Sequence, residues 1–203
     1  MYIICSDLEG VYVPEIWINV SAHTGIEELK LTTRDISDYD VLMKGRLELL
    51  SRHKLKLSDI QKVISELEPL PGAREFLGWL RSRFQLIVVS DTFREFADPL
   101  MELLDRPTLM CHHLTTNSNG FITDYNLRQK DAKRMVVEAL QGLHYKVIAI
   151  GDSYNDLSML RKAEKAILFN PPQNVIDENL DLTVVRSYDE LKKLIMQIAD
   201  DEE

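Results

Sequence analysis

The apolar run Tyr2-Ile3-Ile4-Cys5 stops abruptly at Ser6-Asp7, and a second acid, Glu9, and a glycine, Gly10, follow at once. In an open α/β sheet, ligands bind just beyond the carboxyl ends of the strands, so Asp7 and Glu9 are expected at such an edge. Gly10 lets the chain turn sharply away. Two later runs repeat the pattern. Gln85-Leu86-Ile87-Val88-Val89 is continuous enough for a buried parallel strand and ends in Ser90-Asp91-Thr92. Lys146-Val147-Ile148-Ala149-Ile150 ends in Gly151-Asp152-Ser153-Tyr154-Asn155-Asp156. Helical periodicity lies between the runs, which predicts an α/β fold with a doubly wound, mainly parallel sheet.

Between the first strand and the second, the pattern is helical. Pro14 to Thr24 has Ile16, Trp17 and Val20 on one face and Gly25 as its stop. A shorter helix is expected around Ile26–Leu31, then Tyr39–His53 capped by Ser37-Asp38, then a helix through Leu67 opened by a capping box at Ser58-Asp59-Ile60-Gln61. These about 55 residues far exceed an ordinary connection. The expected organisation is therefore a core of residues 1–13 and 69–203 with a helical cap, 14–68, inserted after the first strand. Pro69-Leu70-Pro71-Gly72 is the re-entry, followed by helix over Ala73–Ser82. Helix resumes near Phe93, where Pro99 should break or restart it with Asp98 as a new cap. Thr108–His113 and Phe121–Leu127, joined by Asn117-Ser118-Asn119-Gly120, predict a hairpin. Asp131–Leu143 is helical, Ala166–Phe169 and Leu182–Val185 are strands, and Tyr188–Ala199 is a last helix with an acidic tail that opposes its dipole and should fray.

The strand ends bring Asp7, Glu9, Asp152 and Asp156 to one crevice, with Ser90 and either Lys130 or Lys133 beside them. Such a cluster of carboxylates repels itself unless a cation sits among them. Oxygen ligands without a Cys/His cluster favour Mg²⁺ over zinc. A serine hydroxyl and a lysine ammonium beside that cation make a phosphate site, and a carboxylate nucleophile there can form an aspartyl-phosphate. The net charge of −9 argues against a nucleic-acid partner, so an anionic substrate must be drawn by the local site. Cys5 and Cys111 fall in strand-like runs and read as buried thiols rather than a disulfide. No stretch is long enough to span a bilayer and no signal peptide is visible, so a cytoplasmic protein is expected.

Asp7-x-Glu9-Gly10-Val11, Ser90 after an apolar strand, a lysine, then Gly151-Asp152-x-x-Asn155-Asp156 resembles the haloacid dehalogenase superfamily of phosphotransferases over nearly the whole chain. The insertion at 14–68 matches that superfamily's helical cap. The resemblance implies Asp7 as nucleophile, Glu9 as acid/base, and Ser90 and the lysine holding the phosphoryl group. It also implies Mg²⁺ on Asp7, the backbone carbonyl of Glu9 and Asp152, with Asp156 in support. Lys133-Arg134 resembles the family's Lys-Gly, which favours Lys133 over Lys130.

Glu15 after the first motif and Arg46 in Met43-Lys44-Gly45-Arg46-Leu47 resemble the phosphoserine phosphatase branch. Arginine grips a carboxylate bidentately, and Glu15 can take an α-ammonium. Asp91 and Asn155 complete the expected substrate set. Pro14-Glu15-Ile16-Trp17 is similar to a bifunctional subgroup that also transfers the phosphoryl group from phosphoserine to homoserine, which implies phosphoserine and homoserine as partners in serine and threonine biosynthesis. A homodimer is left open. Glu9 departs from the family's usual Asp, and the extra methylene is expected to slow water activation so that an alcohol can compete. The rival readings are a phosphatase of another small phosphomonoester, a receiver domain and a non-catalytic binding protein. A receiver carries its phosphorylated Asp on an internal strand with no cap after the first. Asp7 and Asp152, whose loss would mark a binding protein, are both present.

Overall fold

The computed structural model describes residues 1–32, 35–36 and 38–200. The expected cap residue Ser37 and the tail Asp201-Glu202-Glu203 lie outside the described residues. The elements, in chain order, are β1 (Tyr2–Ser6), α1 (Ile16–Thr24), α2 (Tyr39–Arg52), α3 (Leu57–Ser65), α4 (Ala73–Arg81), β2 (Gln85–Phe93) and α5 (Arg94–Leu103). There follow β3 (Leu109–Thr116), β4 (Ile122–Asn126), α6 (Ala132–Gly142), β5 (Lys146–Gly151), α7 (Leu157–Lys162), β6 (Lys165–Phe169), α8 (Gln173–Glu178), β7 (Thr183–Val185) and α9 (Tyr188–Asp200).

The strands form one sheet in the order β4-β3-β2-β1-β5-β6-β7, parallel except for β4. The chain builds outward from β1 to one side, returns, and builds outward on the other. β1 is thus the switch point of the sheet, with Ser6 paired to Val88 of β2 and to Ile150 of β5. Its side chains alternate as a strand requires. Ile4 packs with Phe76, Leu77, Ile148 and Ile195 on one face, while Ile3 and Cys5 pack with Val89, Val137 and Leu160 on the other. Both faces are dry, and each fully buried aliphatic side chain contributes about 1.5–3 kcal/mol. Cys5 and Cys111 are both free thiols. Among the described residues no helix is long and apolar enough to cross a membrane.

The helical insertion after β1 does not carry a separate core. Ile16, Val20, Leu29, Met43, Leu50 and Ile60 are continuous with Phe93, Phe96, Ala97 and Leu100 of the main body. Trp17 meets Phe96 edge-on at 5.4 Å. The insertion is also tied to the β3–β4 hairpin, where Leu57 N–H donates to Gly120 O at 2.9 Å.

Several local expectations are corrected. α1 starts at Ile16, two residues after Pro14, and the short helix near 26–31 is a single 3-10 turn over Glu27–Lys30. α3 opens at Leu57: Asp59 Oδ2 reaches back to accept the Lys56 N–H at 2.8 Å, so Lys56 rather than Ser58 holds the cap position. Pro99 neither breaks nor restarts α5. The carbonyl its missing N–H would have paired is that of Glu95, and Gln61 Nε2 donates to that oxygen at 2.8 Å. β2 runs on through Ser90 and Asp91 to Phe93, with its pairing to β3 irregular between Val89 and Phe93. α8, behind Pro171-Pro172, was not foreseen.

Candidate active site

Asp7 follows β1 and Asp152 follows β5, so two adjacent parallel strands deliver two acids to one sheet edge. Two glycines let them close in. Gly10 has φ +75, and a Cβ there would stand 2.4 Å from the Asp152 carboxyl; a Cβ at Gly151 would stand 2.4 Å from Asp156. Gly10→Ala should therefore fail twice, in backbone strain and in displacing Asp152. We expect about a 100-fold loss of activity from an ångström-scale displacement, with divalent-cation affinity falling in parallel when measured by calorimetry.

Asp156 is fully buried and its oxygens are occupied. Oδ2 accepts the N–H groups of Asp152 at 2.9 Å and Ser153 at 3.1 Å, and Oδ1 accepts Lys133 Nζ at 2.7 Å. Lys133, from the first turn of α6, is 2 % exposed and also reaches Asp7 Oδ1 at 2.9 Å. The second donor to that oxygen is the Leu8 N–H, at 2.8 Å. Lys130 stays exposed on the rim and has no place in this contact. One carboxylate oxygen of each of Asp7, Asp152 and Asp156 lies within 4.8 Å of the others, and the buried Oδ1 of Asp152 has no hydrogen-bond partner.

The electrostatics follow. Burial, then Asp156, raises the Asp7 carboxyl well above the usual range, with Lys133 opposing. The same two causes push Asp152 up to about 7. Burial pulls the Lys133 ammonium down, but Asp156, Asp7 and Asp91 together hold it well above its ordinary value, so it stays charged. Three buried carboxyls with one ammonium are short of positive charge, and the orphaned Asp152 oxygen points to where more would sit. An all-oxygen donor set suits a hard divalent cation.

Ser90 is buried at the same edge, two residues past the Val88–Ser6 pair, and its Oγ accepts the Thr92 N–H at 3.2 Å. Burial raises the Asp91 carboxyl, but Lys133, His112 and Asn155 outweigh it and hold it down at about 2. Asn155 Nδ2 donates to Asp91 Oδ2 at 3.2 Å, so Asn155 joins the group through Asp91.

Glu9 lies toward the insertion. Its Oε2 accepts the Ile16 N–H at 2.8 Å, an unpaired donor at the start of α1. Burial, then neighbouring Glu15, pushes its carboxyl up to about 8, against the pull of Ile16 N–H, Lys133 and Arg46. The Arg46 guanidinium is buried over the Trp17 ring, 4.5 Å from its centroid, and donates to Leu31 O at 2.7 Å, while its Nε has no partner. The sequence placed Trp17 on one face of its helix, and its use as a platform for Arg46 had no sequence signal. An open cleft of about 680 Å³ lies beside the acids, with Tyr39, Tyr125, Lys130, Asp91 and Asn155 on its walls. Tyr39 and Tyr125 were likewise not singled out.

Comparison with known proteins shows the family. The family described as haloacid dehalogenase-like hydrolase matches residues 7–164. The chain is 56% identical over 200 residues to a phosphoserine phosphatase of Pseudomonas syringae pv. tomato, covering 98% of this chain and 84% of the relative. It is 56% identical over 199 residues to "Phosphoserine phosphatase ThrH" of Pseudomonas aeruginosa, covering 98% and 97%. Among solved structures, a phospho-aspartyl intermediate analogue of phosphoserine phosphatase shares the fold with a TM-score of 0.75 at 23% identity, covering 95% of this chain and 97% of that one.

Proposed function

The chain belongs to the haloacid dehalogenase-like hydrolases, and from that premise we propose that it is a Mg²⁺-dependent phosphoserine phosphatase, acting in the cytoplasm, that also passes the phosphoryl group to homoserine. The observation that carries the reading is Lys133 bridging Asp7 and Asp156 while the buried Asp152 oxygen beside them has no partner. The relatives at 56% identity support the substrate.

Asp7 is the nucleophile. A carboxylate oxygen of Asp7 bonds to phosphorus as the bond from phosphorus to the serine oxygen breaks, and the Glu9 carboxyl gives its proton to that oxygen. A Glu9 carboxyl held near 8 is protonated at neutral pH, as the first step needs. In the second step the Glu9 carboxylate takes a proton from water or from an alcohol, whose oxygen bonds to phosphorus and frees Asp7. Ser90 and Lys133 hold the phosphoryl oxygens, with Asp91 and Asn155 beside them. Asp7, the Glu9 carbonyl and Asp152 would hold Mg²⁺, and Asp156 orients them. The ion supplies charge stabilisation as the phosphoryl group passes. Glu15 pairs the substrate's ammonium and Arg46 its carboxylate, with residues 14–68 as the cap that excludes water.

The proton on Asp152 has a consequence for the metal. Its carboxyl, raised to about 7, is protonated below that pH and must lose the proton when the ion binds. Apparent Mg²⁺ affinity should thus fall as the pH drops below 7, by about tenfold or more per pH unit because the raised Asp7 carboxyl must also be ionised, which titration calorimetry at pH 6 and pH 8 would read.

Glu9 explains the choice of acceptor. Its side chain reaches the Ile16 N–H at 2.8 Å, and an Asp, one methylene shorter, would hold its carboxyl about an ångström further from that donor. Glu9→Asp should release the carboxyl toward water and lower the ratio of transfer to hydrolysis by about tenfold, since placement of an acid/base group by an ångström is felt on that scale. Counting phosphohomoserine against free phosphate checks it, and an unchanged ratio would defeat this account of the residue. The whole reading is tested by phosphoserine turnover with Mg²⁺, with and without homoserine, against a panel of sugar phosphates. Preference for the sugars would remove the amino-acid assignment.

A further inference from the structure

His112 is a buried titratable group that the steps above do not use. It sits in β3, paired to Phe93 of β2, and its side chain is 3 % exposed. Nδ1 accepts the Arg128 N–H at 3.0 Å, so that nitrogen carries no proton and the ring hydrogen belongs to Nε2. Nε2 faces Asp91 Oδ1 at 3.5 Å. The far oxygen of Asp91 takes Asn155 at 3.2 Å and stands 3.9 Å from Lys133 Nζ.

Two features make this contact consequential. Asp91 lies in the irregular stretch of β2 between Val89 and Phe93, where the regular pairing to β3 lapses before it resumes at Phe93, so the backbone ladder does not fix Asp91 itself. Arg128 lies just before Asp131, whose φ of 53 turns the chain into α6, the helix that carries Lys133. One imidazole therefore spans both elements whose spacing sets Lys133 relative to Ser90.

We propose that His112 is a positioning residue for phosphoryl transfer: it ties the Ser90–Asp91 strand end to the loop entering α6 and keeps Asp91 from closing on Lys133. Without that restraint only Asn155 still holds the Asp91 carboxylate, which can swing over the remaining gap to the ammonium and draw it off Asp7, which it meets at 2.9 Å. The lysine would then be misplaced for the phosphoryl group while the amino-acid contacts at Glu15 and Arg46 stay as they were. The inference rests on the phosphomonoester reading of the site.

The test is His112→Phe, which keeps a ring in the pocket but removes the Arg128 hydrogen bond and the Asp91 contact, alongside His112→Gln, which can still donate toward Asp91. Each is assayed with phosphoserine and with p-nitrophenyl phosphate, and melting temperatures confirm that each is folded at the assay temperature. Failure of the wild type on phosphoserine alone would count against the amino-acid assignment, while the His112 effect is read on the aryl ester. We expect kcat to fall about 30-fold in His112→Phe from misplacement of the lysine, with KM within about threefold, and most of the loss to be recovered in His112→Gln. In an Asp91→Ala background the same His112→Phe change should cost much less, because no carboxylate is left to swing. A folded His112→Phe enzyme with kcat within about twofold of wild type overturns the proposal, as do losses that simply multiply in the double variant.

Discussion

Asp7→Asn should abolish turnover, lowering kcat by about 10⁴-fold or more, because an amide oxygen cannot form the covalent intermediate that divides the transfer into two easier steps. The substitution is close to isosteric, and the contacts of Asp7 tolerate it. Oδ1 accepts from the Leu8 N–H at 2.8 Å and from Lys133 at 2.9 Å, and an asparagine oxygen can accept from both. It also removes one of three crowded carboxylates, whose mutual repulsion and burial raise the Asp7 carboxyl in the folded chain. The metal-free variant should therefore melt no lower than the wild type. Loss of activity with stability kept separates a chemical role from a structural one. A variant that retained more than a few per cent of wild-type kcat would place the nucleophile elsewhere.

Lys133→Met is expected to have the second-largest effect, and on two observables at once. Lys133 is the buried cation among Asp7, Asp156 and Asp91, at 2.9, 2.7 and 3.9 Å. Its removal leaves buried carboxylates without their ion partner, a change that typically costs about 3–5 kcal/mol. Activity should fall by about 10²–10³-fold, the scale on which a preorganised charge aimed at the transferring group acts. Added Mg²⁺ should restore part of the stability, since it binds the folded form alone, but little of the activity. Lys133→Arg should not rescue, because the socket fits a compact point charge and not a planar fork. Lys130→Ala, on the exposed rim, should stay within about threefold of wild type, as surface changes usually do. Equal, small losses for the two lysines would remove Lys133 from the site.

What could be read from the chain and what could not follows from the range of the interactions involved. Asp7 and Asp152 were legible because an apolar run that stops at an acid is a local signal, and the parallel sheet brings such ends together. The insertion was legible from helical periodicity and length. Lys133 was preferred over Lys130 from the resemblance, in a helix expected to begin at Asp131, and in the fold Lys133 is the second residue of α6 while Lys130 stays outside it. Pro99 was misread because the group that satisfies Glu95 O comes from Gln61, on a different helix. His112 carried no signal, since its importance depends on the Arg128 N–H and Asp91 meeting it from two other segments. Tyr39 and Tyr125 reach the cleft only because the insertion folds back over the hairpin, where Tyr125 OH donates to Asp40 and the two rings meet edge-on at 6.0 Å. Glu9 was recognised as a departure from the usual Asp, but its bond to the first turn of α1 was visible only in the fold.

The same long-range contacts bear on the helical insertion. Its apolar residues continue into the main core through Trp17 and Phe96, so opening by a rigid hinge would expose packed surface.

The most direct test of the account is to mix the enzyme with Mg²⁺ and phosphoserine, quench in acid within the first turnovers, and map the modified peptide by mass spectrometry. The account predicts the added mass of one phosphoryl group on Asp7, absent from Asp7→Asn and lost on adding hydroxylamine. Rapid phosphoserine turnover with the label on another residue, or with Asp7→Asn labelled and active, would contradict it.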